Sequence, residues 1–369
     1  MAPTGAAVAF RIGADERGRG IDGDGRRMLM HPRGIRLRKN GALLVADYGN
    51  NCVLEFKPGD KKGRVVAGEE GKALPTVDPL KDIDNPLTLP EEEGSLLKQP
   101  GDVCEDPEGG FLVLDTDECS VQRFSGERSA RGETLVPQDG KSVYKSIGDP
   151  PAVKNPRGVA VAPDGAIVVC DSWSHRVLRY PPPRGPNSME APTVLAGIAN
   201  SWGNSASKLA FPSAAAFAAD GALLVADTNN HRVQRFPPGA EGGAEGVTVA
   251  GGRRGPGLGE LDMPTGICVD PQDGSIIVAD RCNARVLRFP SDSREGAPGV
   301  VLAGPEVLEW PWGVCVAPDG AVYVSDERRG VVLRLEAGDA ARPAPQAARA
   351  EAPGPPEAAP PSLDAAELD

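Results

Sequence analysis

The sequence predicts an all-β fold, a β-propeller of six four-stranded sheets, and three observations predict it. One segment recurs six times, around Asp47, Asp115, Asp171, Asp227, Asp280 and Asp326. A valine stands six residues after each of these aspartates, and Gly34, Asp102, Gly158, Ala214 and Gly313 stand thirteen before, with the fifth copy one residue longer from Gly266. Each copy also divides into short Val- and Ile-rich runs punctuated by turn residues, and the two ends of the chain are complementary fragments of one unit. A period of about 45–70 residues built from short strands marks a radial or stacked repeat.

Within a copy, GVAVAP and AIVVCD are separated by Pro163-Asp164-Gly165, the pattern of a hairpin. The third run, HRVLRY, alternates inward and outward residues, and TVLAG at 193–197 supplies a fourth; RVVAG at 64–68, VTVAG at 247–251 and VVLAG at 300–304 are its counterparts. Four antiparallel strands make one blade. The sixth copy stops after its third strand, at 331–335, whereas VAFRIG at 8–13 reads as a fourth strand with no blade before it. Residues 8–13 are therefore expected to complete blade six, which would remove an open sheet edge and tie the ring.

Copies such as PSAAAFAADGALLVADTNNHRVQRF at 212–236 and PRGVAVAPDGAIVVCDSWSHRVLRY at 156–180 resemble the NHL-repeat family of six-bladed β-propellers. The family's Asn-His-Leu type triplet is represented by Asn230-His231-Arg232 and by Ser174-His175-Arg176. Copy two departs, with DTDECSV at 115–121, and copy six carries Arg329-Gly330-Val331 instead. The resemblance covers residues 8–336, with repeat cores at about 30–60, 98–127, 154–184, 210–240, 262–292 and 309–336.

Composition sets bounds. The 369 residues include 46 Gly and 37 Pro, enough turn residues for two dozen strands. Seven cysteines without close-spaced pairs, three of them (Cys104, Cys268, Cys315) at one equivalent inner-strand position, read as small buried hydrophobes of a reducing compartment. No apolar run is long enough for a membrane helix and the N-terminus lacks a secretory pattern, so a cytoplasmic monomer is expected. A net charge of −12 argues against nucleic acid as the partner. Residues 337–369, rich in Ala and Pro, with six acids against Arg342 and Arg349, read as a disordered acidic tail. Residues 69–99, rich in proline and acids, read as a solvated insertion between blades one and two.

Function is sought on the loops, since strands of this fold are scaffold. The loops after each repeated aspartate and those leading into each first strand share one face, the upper face. They gather Tyr48, Asn50, Asn51, Trp173, Asn229, Asn230, Arg281, Arg328 and Arg329. The residues after each blade's leading proline join them: Arg33, Gly101, Arg157, Ser213, Thr265 and Trp312. Trp173, Trp202, Trp310 and Trp312 all map to these loops in a chain with only 4% aromatic residues. Tryptophan beside arginine is the composition of a binding hot spot. A protein- or peptide-binding site is expected there, off-centre toward blades three and six, from Trp173, Trp202, Trp310, Trp312, Arg33, Arg157, Tyr48, Arg328 and Arg329.

The six repeated aspartates read as turn acceptors, paired in Asp171, Asp227 and Asp280 with Arg176, Arg232 and Arg285 five residues on. No catalytic, cofactor or metal residue is expected. The peptide-amidating lyases that resemble this family place zinc-holding histidines after the leading proline, where this chain has none. Lactonase-like propellers would instead need channel oxygens, for which Asp102 and Asp270 are the candidates. The resemblance implies a non-catalytic module that selects a substrate in a ubiquitin-ligase-type pathway, with a metal-dependent lactonase- or lyase-like enzyme and an RNA binder as alternatives.

Overall fold

The computed structural model describes residues 8–12, 29–60, 62–68, 97–126, 132–136, 153–182 and 191–336. The acidic tail at 337–369 and nearly all of the 69–99 insertion lie outside the described residues.

The described strands form six antiparallel four-stranded sheets. Blade one comprises Pro32–Leu37, Leu43–Asp47, Cys52–Phe56 and Arg64–Gly68; blade two Pro100–Glu105, Phe111–Asp115, Ser120–Phe124 and Glu133–Val136. Blade three runs Gly158–Val161, Ile167–Asp171, Arg176–Tyr180 and Thr193–Gly197. Blade four runs Pro212–Phe217, Leu223–Asp227, Arg232–Phe236 and Val247–Gly251. Blade five consists of Pro264–Val269, Ile276–Asp280, Arg285–Phe289 and Val300–Ala303. Blade six contains Pro311–Val316, Val322–Asp326 and Val331–Leu335, and Val8–Ile12 pairs with the last of these, Ile12 opposite Val332. The innermost strand of each blade packs on that of the next, and Pro311–Val316 returns to Pro32–Leu37, which closes the ring.

Six apolar clusters of buried residues fill the spaces between neighbouring sheets. Leu44 and Ala46 of blade one face Val103 and Val113 of blade two, for example, and Cys268 and Ile277 of blade five face Val314 and Val324 of blade six. The second strands of blades one to five are buried along their whole length, because both faces of a blade are covered. That explains why these runs are continuously apolar rather than alternating. Cys104, Cys268 and Cys315 are buried free thiols of this packing; burial pushes Cys104 and Cys315 up to about 12 and raises Cys268 in the same way.

The inner strands meet closely. A Cβ on Gly158 would lie 2.5 Å from the Ser213 carbonyl oxygen, and one on Gly266 2.3 Å from that of Trp312, so glycine is required where backbones touch.

The triplet Asn230-His231-Arg232 acquires a role for every member. In blade four, Asn230 Nδ2 donates to Asp227 Oδ2 at 2.8 Å. His231 adopts a left-handed φ of 54°, which a compact polar residue tolerates, and its Nδ1 accepts the Met263 amide of the next blade at 3.1 Å. Arg232 Nε donates to Asp227 Oδ2 at 2.8 Å, while its other nitrogens reach the carbonyls of Asn204, Ser205 and Lys208. His175 repeats this one blade earlier, accepting the Phe211 amide and meeting the Phe211 ring edge-on at 4.6 Å.

Candidate binding site at the upper mouth of the channel

Each repeated aspartate does more than close a local turn. Asp47, Asp171 and Asp227 accept backbone amides seventeen residues upstream, from Met30, Lys154 and Ala210, each at 2.7 Å. Asp115 and Asp326 do the same with Lys98 and Glu309, and Asp280 with Asp262, eighteen residues upstream. The carboxylate thus ties the lead-in loop to the loop after strand two, and Asp115 and Asp326 also accept the short amide bond of a tight turn, from Glu118 and Arg329. Arg176, Arg232 and Arg285 pair with their aspartates at 2.7–2.8 Å. The upper-face loops are therefore held from below by buried charge-assisted bonds.

On this platform stand two rings of residues. One holds the position after the leading proline: Arg33, Gly101, Arg157, Ser213, Thr265 and Trp312. The other holds the position after the repeated aspartate: Tyr48, Thr116, Ser172, Thr228, Arg281 and Glu327. Ser213 and Thr228 of blade four and Thr265 of blade five are small and polar and satisfy one another through a chain of hydrogen bonds. Thr228 Oγ1 donates to Ser213 Oγ at 2.7 Å, Ser213 Oγ to the Thr265 carbonyl at 2.7 Å, and Thr265 Oγ1 to the Trp312 carbonyl at 3.0 Å.

Around blade six the rings become charged and aromatic. Arg33 grips Glu327 Oε1 with Nε at 3.0 Å and Nη2 at 2.9 Å, and Arg281 Nη2 takes the second oxygen at 2.9 Å. The Arg33 guanidinium lies 3.4 Å from the Tyr48 ring centre and 4.4 Å from that of Trp312. Arg281 stacks on Trp310 at 4.3 Å and faces Trp312 at 5.3 Å, and Arg328 covers Trp310 at 5.1 Å. Arg157 of blade three is half-buried and within electrostatic reach of Arg33, Arg281, Glu327 and Tyr48. Burial, and then the Arg33 and Arg281 charges, lower its guanidinium below the ordinary value, while Glu327 and Tyr48 act in the opposite sense.

The sequence-predicted residues thus separate into two groups. Arg33, Tyr48, Arg157, Trp310, Trp312 and Arg328 lie at or beside the mouth, Arg328 pairing with Glu309 at 3.2 Å. Arg329 lines an adjoining cleft of about 530 Å³ with Met30, His31, Glu309 and Glu327. Trp173 and Trp202 lie apart on blade three's loops, which the Asn200 amide joins to the Ser174 carbonyl. Trp202 is 71% exposed, Trp173 44% and Trp310 39%; Trp312, expected as an exposed anchor, is only 7% exposed because two guanidiniums flank its ring. Glu327, which organises the mouth, escaped the sequence reading. Its signal was available, since the position after the repeated aspartate is hydroxylic in three other blades and acidic only here.

The two candidate channel acids do not converge. Asp102 accepts the amides of Val103 and Val159 at 2.9 Å, and burial raises it to about 6 against the opposing effect of those amides and Arg36. Asp270 is wholly buried against Arg288 at 3.0 Å. Among the described residues no group of three or more His, Cys, Asp or Glu is arranged to hold a metal ion. The positions where the resembling lyases carry zinc ligands hold two guanidiniums, two hydroxyls, an indole and a glycine, with no His, Cys, Asp or Glu among them, so this residue set does not fit zinc. No helix among the described residues is long and apolar enough to cross a membrane.

Comparison with known proteins agrees with this architecture. Rat peptidylglycine alpha-amidating monooxygenase is 26% identical over 192 residues, which are 50% of this chain and 19% of the relative. The chain therefore matches only about a fifth of that protein's length. A gluconolactonase structure from Xanthomonas campestris superimposes with a TM-score of 0.56 over 89% of this chain and 99% of its own, at 15% identity. A Bacteroides thetaiotaomicron protein of unknown function gives 0.56 over 89% and 74%, also at 15% identity. At such identity these likenesses concern the fold alone. The NHL repeat model matches residues 154–180, 209–236, 261–289 and 308–332, within blades three to six. The chain is thus a six-bladed β-propeller that carries four NHL repeats, in blades three to six.

Proposed function

We propose that this propeller is a non-catalytic recognition module that binds a protein or peptide on its upper face. The observation that carries the reading is the set of exposed tryptophans, Trp173, Trp202 and Trp310, mounted on loops immobilised by the repeated aspartates. Large aromatic surface left in water on a rigid support favours binding, because the receptor loses little conformational freedom when a partner arrives. Selection of a substrate for a ubiquitin-ligase-type assembly, in trans, is one cellular use that suits such a module. Affinity capture with the wild type and with Trp173→Ala/Trp202→Ala tests it: a partner retained by the wild type should be lost by the double variant at unchanged melting temperature. Equal recovery by both proteins would remove the blade-three tryptophans from the site.

A second reading, a propeller enzyme, draws on the match to the amidating monooxygenase. The residues at the channel mouth would then act on substrate without the zinc set of the resembling lyases. An RNA-binding reading gains less support, because carboxylates interrupt the basic residues: Arg33 pairs with Glu327, Arg254 with Asp262 and Arg328 with Glu309.

A further inference from the structure

The channel mouth carries more positive charge and more hydrogen-bond donors than the protein itself uses. Three guanidiniums, of Arg33, Arg157 and Arg281, face one carboxylate, Glu327, which Arg33 and Arg281 share. Among the described residues Arg157 has no salt bridge of its own. Beside it in the ring, between Arg33 and Arg157, blade two has Gly101. The place a Cβ would take there is filled by Thr116 Oγ1, 2.2 Å away, a buried hydroxyl without a hydrogen-bond partner. The Nε of Arg281 is likewise buried without a partner. Buried donors are normally satisfied, and a cluster of unsatisfied ones around excess positive charge is the imprint of an anion.

Resting on the recognition reading, we infer that this mouth seats a carboxylate of a peptide ligand, received by Arg157 and the Thr116 hydroxyl beside the Arg33–Glu327–Arg281 bridge. The bridge already shows that this environment engages both oxygens of a carboxylate, one through Arg33 and the other through Arg281. Nucleic acid fits less well. Single-stranded bases need open aromatic faces, whereas guanidiniums already cover Tyr48, Trp310 and Trp312. The chain's overall charge of −12 also repels a polyanion but tolerates a single carboxylate focused at one site.

The test titrates the full chain with four probes: acetyl-GGEGG-amide, acetyl-GGQGG-amide, acetyl-GGGG with a free C-terminus, and inorganic phosphate. Binding is followed by tryptophan fluorescence and by NMR shifts of arginine Nε–H signals. At least one carboxylate probe should bind about tenfold more tightly than the Gln probe, as expected for loss of a charge-assisted bond. Which one does so separates a side-chain carboxylate from a terminal one. Arg157→Ala and Arg157→Gln should each abolish the preference, Arg157→Lys should restore part of it, and Thr116→Val should weaken it. Melting temperatures report that the variants fold, and the Gln variant preserves side-chain volume should the Ala variant not fold. Equal binding of the Glu and Gln probes, a preference that survives loss of Arg157, or phosphate binding above both carboxylate probes would each overturn the inference. Loss of partner capture on replacing Trp173 and Trp202 would still stand in those cases, so the recognition reading and this one fail separately.

Discussion

Asp115 sits in the same place as Asp227 yet lacks its arginine, for Ser120 stands where Arg232 does. Burial therefore pushes Asp115 up to about 7, against the opposing amides of Lys98 and Glu118. A carboxyl whose folded value lies above its ordinary 3.8 favours the fold while protonated, and this contribution is lost as pH rises from about 4 to about 7. Asp115→Asn should flatten that part of the stability profile and leave the protein at least as stable at pH 8, as denaturant unfolding across pH would show. Asp227→Asn, by contrast, leaves the buried Arg232 without its carboxylate and should cost about 3 kcal/mol in the same experiment. Both residues were legible as repeat positions in the sequence. Their different electrostatics were not, because the amides they accept come from a loop seventeen residues away.

The four-stranded units were readable strand by strand, since Val- and Ile-rich runs and Asp-Gly turns are local signals. Asp164 Oδ1 accepts the Ala166 amide and Gly165 takes a φ of 84°, as such a turn requires. The closeness of neighbouring inner strands was not readable, because it depends on a partner some fifty residues away in the chain. Gly158→Ala should strain the contact with Ser213 and cost about 1–3 kcal/mol by chemical denaturation. The strand Val8–Ile12 gives its hydrogen bonds to Val331–Leu335 and buries Ile12 against Ile35 and Val45. Deleting residues 1–13 should lower the melting temperature by several degrees; an unchanged value would mean that the ring holds without this strand.

Across the whole molecule, six similar blades produce a mouth that is not symmetric. Blades four and five contribute small hydroxyls, while blades five, six, one and three contribute Arg281, Glu327 with Trp312, Arg33 with Tyr48, and Arg157. The sequence placed these residues on one face through the repeat register. It could not tell that Trp312 lies beneath two guanidiniums, or that the tryptophans divide into two groups, because ring stacking across blades leaves no local pattern. This arginine-and-aromatic mouth is interpreted as a recognition surface rather than a metal-assisted catalytic one. Metal content of the purified, untagged protein by elemental mass spectrometry, with melting temperature before and after chelation, tests that most directly. The account predicts no stoichiometric calcium or zinc and a melting temperature indifferent to chelator. A stoichiometric metal whose removal lowers the melting temperature would contradict it.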